Sequence, residues 1–168
     1  MVGDYRIAQG ACHHEAGHVV CAITRGVPIK RVAIAPCCGK GLAGEAMYAT
    51  IGDDFGRIVS SFGGSVAEQR FTGRPNEYGA KSDRENVGRI LARRYGREPK
   101  SGDLDMPIVT AAKAEAEKIV GRRWPEIQAL AGKLIEEFEL EAAEILAIVG
   151  RAATDRINRR IAELERFT

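Results

Sequence analysis

Residues 4–25, DYRIAQGACHHEAGHVVCAITR, decide the fold because they predict one long helix, which ends at Gly26 and Pro28. At about 100° per residue, apolar side chains occupy both faces of this helix, a pattern typical of a buried helix at the centre of a domain. His14 and His18 stand four residues apart on it. Both imidazole rings therefore leave the helix on the same face.

The motif His14-Glu15-Ala16-Gly17-His18 fits the zinc-binding pattern H-E-x-x-H. Two histidines at this spacing can bind one ion, and the glutamate after the first lies beside its open coordination position. Zinc can lower the pKa of bound water to about 7, and Glu15 can take the proton as the water attacks a peptide carbonyl. The motif predicts a zinc peptidase with Glu15 as general base; the alternative is a chance match.

A catalytic zinc ion normally needs a third protein ligand, which the histidines of this chain cannot supply. The third histidine, His13, points about 100° away from its neighbour His14. Asp83 is the best candidate, because an unpaired charge on the apolar stripe of its predicted helix would be costly. Its alternative role is to complement the dipole of that helix from the first turn. Weaker candidates are Glu68, Glu45, Cys37 and Cys38.

The chain as a whole predicts a mainly helical α+β protein with a small sheet. A short strand, KRVAIA, is expected at 30–35, followed by a glycine-rich loop at 37–45. A partner strand is expected at 46–51.

A second helix is expected to begin at Asp53 or Asp54 and to run to about Phe71. Small residues on one of its sides would let another helix approach closely: Ser61, Gly64 and Ala67. A loop at 72–81 is expected next, and then a third helix opened by the capping box Ser82-Asp83-Arg84-Glu85.

Four segments are expected along the chain. A zinc-binding catalytic core spans 1–96 and a polar linker spans 97–105. A helical subdomain packing on the core spans 106–150, with helices near 107–122, 125–138 and 141–150. A charged amphipathic tail follows at 151–168.

The composition is typical of a folded globular protein, with 45% apolar and 29% charged residues among 168. A net charge of +2 gives no reason to expect nucleic acid as a partner. No run approaches the roughly 18 apolar residues of a membrane span, and the first ten residues lack a secretory pattern. We therefore expect a cytoplasmic protein with no membrane span and with reduced cysteines.

Four segments resemble motifs of the FtsH peptidase family. His14–Val20 (HEAGHVV) resembles H-E-A-G-H-A, and Arg31–Pro36 (RVAIAP) resembles K-V-x-I-x-P. Gly63–Glu68 (GGSVAE) is similar to G-G-R-x-A-E, and Gly79–Asp83 (GAKSD) to G-A-x-x-D. The motifs occur in the order of the family across residues 5–150, which is more specific than one short motif.

The resemblance implies a zincin-like fold, bound Zn²⁺ and a polypeptide substrate. It implies that Asp83 is the third zinc ligand and that Glu68 is a carboxylate partner of a zinc-binding histidine. It also implies an edge strand that receives the substrate as an added strand. The residues of this strand are Arg31, Val32, Ala33, Ile34 and Ala35. The alternative for Glu68 is an ordinary solvated glutamate. The alternative for residues 31–35 is a short strand without a substrate role.

The chain also departs from the family. Members carry an ATPase module and a membrane anchor before the peptidase, and we expect neither here. Because there is no G-x-x-x-x-G-K-[ST] sequence, we expect no ATP-driven unfolding. Ser65 stands where the family has arginine. We therefore expect a stand-alone metalloendopeptidase that acts on unfolded or flexible polypeptides.

Two other functions fit the same residues. An ImmA-type regulatory zincin would require a third ligand other than Asp83. A zinc-stabilised, non-catalytic protein-binding module is the second, although a structural site needs no general base. The apolar spacing of Ile157, Ile161 and Leu164 in the tail also leaves a homo-oligomer open.

Overall fold

The structure, a computed structural model, describes residues 2–36, 42–48, 53–74 and 76–165. Within these ranges the chain is mainly helical with a small antiparallel sheet, the α+β class that the sequence predicts. The elements in chain order are α1 (Val2–Thr24), β1 (Ile29–Pro36), β2 (Leu42–Tyr48), α2 (Asp54–Thr72), α3 (Glu77–Tyr95), a 3-10 helix (Ser101–Asp105), α4 (Pro107–Arg122), α5 (Trp124–Glu137), β3 (Glu139–Glu141) and α6 (Ala142–Glu165).

Helix α1 is the central element, as its two apolar faces predict. It packs against α2, α4 and α5, and against β1 and β2. From Cys12 to Ala22 all of its residues are buried. The apolar core built around it continues without a break through α6, where Ile145 is fully buried.

Helices α1 and α2 approach so closely that their contact has no room for side chains at two glycines. A Cβ atom at Gly63 would lie 2.6 Å from the carbonyl oxygen of Gly17 and 2.7 Å from Sγ of Cys21. A Cβ atom at Gly17 would lie 2.6 Å from Cβ of Ala67. The predicted small-residue side of α2 therefore does allow a close helix contact, and it faces α1. Asp53 caps α2 through N–H groups of its first turn, also as predicted.

Strand β1 is the central strand of the sheet, whose order is β2-β1-β3. Both neighbours are antiparallel to it: Val32 lies opposite Ala46 of β2 and opposite Leu140 of β3. The sequence does not predict β3, because Glu-Leu-Glu is too short and too charged to show a strand pattern. β2 begins at Leu42, so the predicted loop at 37–45 is too long and the predicted strand at 46–51 starts too late.

The expectation that residues 31–35 form an open edge is wrong. Arg31, Val32 and Ala33 pair with β3 on one side and β2 on the other. The N–H of Ile34 also donates to the carbonyl of Phe138, at 2.8 Å. Because these backbone groups already have partners, an extended peptide cannot add to β1 along this stretch. β2 and β3 are the two edge strands within the described part of the sheet, and β2, with seven residues against three, is the longer of them.

Helix α2 ends at Thr72 and helix α3 begins at Glu77, so the predicted loop at 72–81 is too long and the predicted capping box at Ser82 is wrong. Gly79 suggests a loop by its residue type, yet it lies in the first turn of α3. Its missing side chain admits the ring of His14, since a Cβ atom there would lie 3.1 Å from Cε1 of that ring. Asp83 is consequently in the second turn, where the helix dipole gives it little stabilisation.

Two segments after α3 also differ from the predictions. Part of the expected linker at 97–105 is the 3-10 helix, held by an ion pair between Arg97 and the buried Asp103. Helix α6 runs to Glu165 without the expected end at residue 150. Helix α4 has its predicted bounds, and α5 begins one residue early at Trp124. The division into core, linker, subdomain and tail stays a prediction.

The described helices include none that is both long enough and apolar enough to cross a membrane.

The close contact between α1 and α2 predicts a stability difference between two glycine substitutions. Gly63→Ala should lower the free energy of unfolding by about 1–3 kcal/mol, because the new methyl group meets backbone that cannot move aside locally. Gly132→Ala is the matched control: Gly132 is also helical, and nothing lies within 4 Å of its added Cβ. It should raise stability by about 0.5–1 kcal/mol. Urea unfolding measures the free energy of unfolding of both variants. Equal changes in the two would contradict the close contact of α1 and α2 at Gly63.

Candidate metal centre

Three of the predicted ligands converge between α1 and α3. Nε2 of His14 lies 3.3 Å from Oδ2 of Asp83, and Nε2 of His18 lies 3.2 Å from Oδ1. One ligand atom from each of the three residues lies within 4.8 Å of the others. Both histidines are buried and the aspartate is largely so. This group could hold a metal ion.

The other nitrogen of each histidine ring has a fixed acceptor. Nδ1 of His14 is 2.8 Å from Oε2 of Glu68, and Nδ1 of His18 is 2.7 Å from the carbonyl oxygen of Ser60. A carbonyl oxygen and an ionised carboxylate can only accept a hydrogen bond, so both Nδ1 atoms carry the proton. In the neutral rings each Nε2 therefore presents a lone pair, and both lone pairs face Asp83.

Lone pairs of two imidazoles and a carboxylate thus face one another with no proton between them. Such a group of acceptors is stable only around a cation, which is either a metal ion or protons added to the rings. Oδ2 of Asp83 is buried and makes no hydrogen bond, although His14 lies nearby. Two imidazole nitrogens and one carboxylate are also a donor set of catalytic zinc sites. The residues present therefore fit a zinc ion.

The pKa values of the three groups follow from this convergence. Burial is the largest single influence on the pKa of His14 and lowers it, but the nearby carboxylates of Asp83, Glu68 and Glu15 together outweigh burial and raise that pKa to about 10. The pKa of His18 is also raised: burial is the largest single influence and lowers it, but the carboxylates of Asp83 and Glu15 together outweigh burial. Burial would raise the pKa of Asp83, yet the two histidines hold it well below its usual value. Without a metal ion, protons take its place.

Glu15 lies beside this group and is itself buried, with 6% of its surface exposed. Burial is the main cause that raises the pKa of its carboxyl, and the positive charges of His18 and His14 oppose the rise. The backbone of β2 passes directly over it, because a Cβ atom at Gly44 would overlap the Glu15 side chain. The general base predicted from the motif therefore lies beside the metal ligands and against β2.

The remaining candidates have other surroundings. His13 faces away from the site, as predicted, and stacks on Phe71 with ring centroids 3.8 Å apart. Glu68 contacts the metal group only through His14. Glu45 is exposed on β2. Cys37 and Cys38 lie outside the described residues.

Three further residues contribute to the site: Ser60 and Asn76, which the sequence did not single out, and Gly64, which it predicted only as a small residue at a helix contact. Ser60 acts through its backbone carbonyl, which no residue pattern reveals. Gly64 leaves space for both imidazoles, since a Cβ atom there would lie 2.8 Å from Cδ2 of His14. Asn76 donates a hydrogen bond from Nδ2 to Oε1 of Glu68, at 2.8 Å. A correct start for α3 would have identified Asn76 as the residue that precedes the helix.

A scan against known protein families finds no model that matches this chain, and no curated protein is similar enough to count as a relative.

The geometry predicts a graded loss of zinc affinity on substitution. Asp83→Asn should weaken zinc binding by more than about 100-fold, because it neutralises a ligand. Glu68→Gln should weaken it by about 10-fold, because the amide oxygen can still accept the bond from His14. Glu85→Gln, an exposed position on the same helix α3, is the control and should leave affinity unchanged. Competition with a chromophoric chelator gives the zinc affinities of the three variants. If Asp83→Asn binds zinc as tightly as the wild type, Asp83 is not a ligand.

Proposed function

We propose that this protein is a zinc-dependent metalloendopeptidase with a zincin-like fold of the FtsH type, hydrolysing peptide bonds in unfolded or flexible polypeptides. The observation that carries the proposal is the convergence of two Nε2 lone pairs and the Asp83 carboxylate beside the buried Glu15. Three of the four motifs that resemble the family supply these four residues and also Glu68, which orients His14.

In the proposed site, His14, His18 and Asp83 hold the ion, while Glu68 and the carbonyl of Ser60 fix the orientation of the two rings. Bound zinc would supply a Lewis acid that polarises the peptide carbonyl and acidifies water. The chain itself supplies the proton transfer.

Glu15 takes a proton from the attacking water as the new carbon–oxygen bond forms. It then delivers the proton to the leaving amine as the carbon–nitrogen bond breaks. A carboxyl whose pKa is raised by burial is suited to both steps, because its pKa moves towards the working pH. The backbone of Gly44 lies against Glu15 and shields it from bulk solvent, which strengthens these electrostatic effects.

We place the substrate against the outer edge of β2, in place of the strand first expected. β2 pairs with β1 on one side, and no other described strand pairs with it. Its residue Gly44 also lies directly against Glu15. A peptide added to this edge as an extended strand would use backbone hydrogen bonds, which tolerate many sequences.

The two alternatives have less support. An ImmA-type site needs a third ligand other than Asp83, whereas this carboxylate lies within 3.3 Å of both Nε2 atoms. A non-catalytic module would gain nothing from burying Glu15, since burying an acid away from water costs free energy. A homo-oligomer formed through the tail stays a prediction.

The proposed role of Glu15 predicts the result of one substitution. Glu15→Gln should lower the turnover of an unstructured protein such as casein by at least about 100-fold, because the amide cannot accept the proton. It should leave zinc stoichiometry unchanged. Glu85→Gln, an exposed position on α3, is the control and should retain near wild-type turnover. Equal rates for Glu15→Gln and wild type would remove Glu15 from the mechanism, and zinc binding without any turnover would favour the binding module.

The inactive Glu15→Gln variant also locates the substrate edge. It should bind a peptide without cutting it, so hydrogen–deuterium exchange can be compared with and without that peptide. Amides of Leu42–Tyr48 should exchange more slowly in the complex, because those that face outward gain a partner. Protection confined to other elements would contradict the placement on β2.

A further inference from the structure

Asn76 is an exposed residue directly before α3, outside every motif that the sequence suggests for the metal site. Its backbone carbonyl accepts the N–H of Ala80 at 3.1 Å, the first hydrogen bond of the helix. Its side-chain oxygen lies 3.4 Å from the N–H of Gly79, which is a long capping contact. These contacts fix where α3 begins, and α3 carries Asp83.

The amide nitrogen of Asn76 has a different partner. It donates to Oε1 of Glu68 at 2.8 Å, while Oε2 of the same carboxylate accepts the Nδ1 proton of His14, also at 2.8 Å. The two oxygens of Glu68 are thus held from opposite sides. The three side chains form one hydrogen-bonded chain that ends on a proposed zinc ligand.

The hydrogen bond from Asn76 limits rotation of the Glu68 carboxylate. The terminal torsion of a glutamate side chain is broad, so one hydrogen bond from His14 would leave the carboxylate plane free to turn. A second bond from Asn76 fixes that plane. Carboxylates in this position set the orientation of a metal-binding histidine and the donor strength of its other nitrogen.

We propose that Asn76 is a positioning residue of the metal site, which orients His14 through Glu68 and places Asp83 by anchoring the start of α3. The inference rests on the proposed function only in that the site binds a metal ion. Asparagine suits both tasks, because its amide group combines a donor for Glu68 with an acceptor for the helix N-terminus. Serine and aspartate can cap a helix, but neither gives Glu68 the same donor.

Three variants separate the two tasks of Asn76. Asn76→Ser and Asn76→Asp keep an oxygen that can cap α3, while Asn76→Ala keeps neither function. Zinc affinity, measured by chelator competition, should fall about 3- to 10-fold in all three, which is below the 10- to 100-fold typical of a direct partner of a ligand. The unfolding midpoint of the metal-free protein should fall by about 2–4 °C in Asn76→Ala only.

A protein that already carries Glu68→Ala tests whether Asn76 acts on zinc affinity through Glu68. There, Asn76→Ser should change zinc affinity by less than about 1.5-fold, because coupled residues are not additive. An equal loss in both backgrounds, or wild-type affinity in Asn76→Ser and Asn76→Asp, would overturn the inference. If Asn76→Ser does not fold, Asn76→Asp supports the same comparison. Failure of the wild-type protein to bind zinc would instead overturn the proposed function, so the two failures are distinguishable.

Discussion

The arrangement on which the site depends is the meeting of three acceptors, Nε2 of His14, Nε2 of His18 and the carboxylate of Asp83. The protons of both rings lie on the other nitrogen, facing Glu68 and the carbonyl of Ser60. Burial makes the repulsion among the converging lone pairs costly, and a cation removes that cost. Without a cation these three acceptors therefore lower the free energy of unfolding, and a bound divalent ion would raise it, which is typical of metal centres.

The packing of α2 against α1 makes this meeting possible. Glycines at the contact, Gly17 and Gly63, bring the two helices close enough for α2 to supply both Glu68 and the Ser60 carbonyl to the rings. Gly64 then leaves the volume that the imidazoles occupy. A side chain at Gly17 or Gly63 would push α2 away from α1, whereas a Cβ atom at Gly64 would clash directly with the rings of His14 and His18. The small residues of α2 thus serve the geometry of the site as well as the stability of the core.

Local patterns predicted much of the fold and of the candidate site. His14, Glu15 and His18 follow from one helical spacing, and Asp83 follows from a charge on an apolar stripe together with the resemblance. The start of α3 could not be predicted, because Gly79 is a residue typical of loops and its contact with the ring of His14 is not visible in any local pattern. β3 and the central position of β1 depend on pairing with residues about 100 positions away, which no local pattern encodes.

The most direct test of the central claim is X-ray absorption at the zinc edge of the zinc-loaded protein. We expect one equivalent of zinc with a shell of nitrogen and oxygen at about 2.0–2.2 Å, including scattering from two imidazole rings. Asp83→Asn should alter this shell, and Glu85→Gln should not. A sulfur shell at about 2.3 Å would show cysteine ligands instead and would contradict the account, as would zinc bound without imidazole scattering.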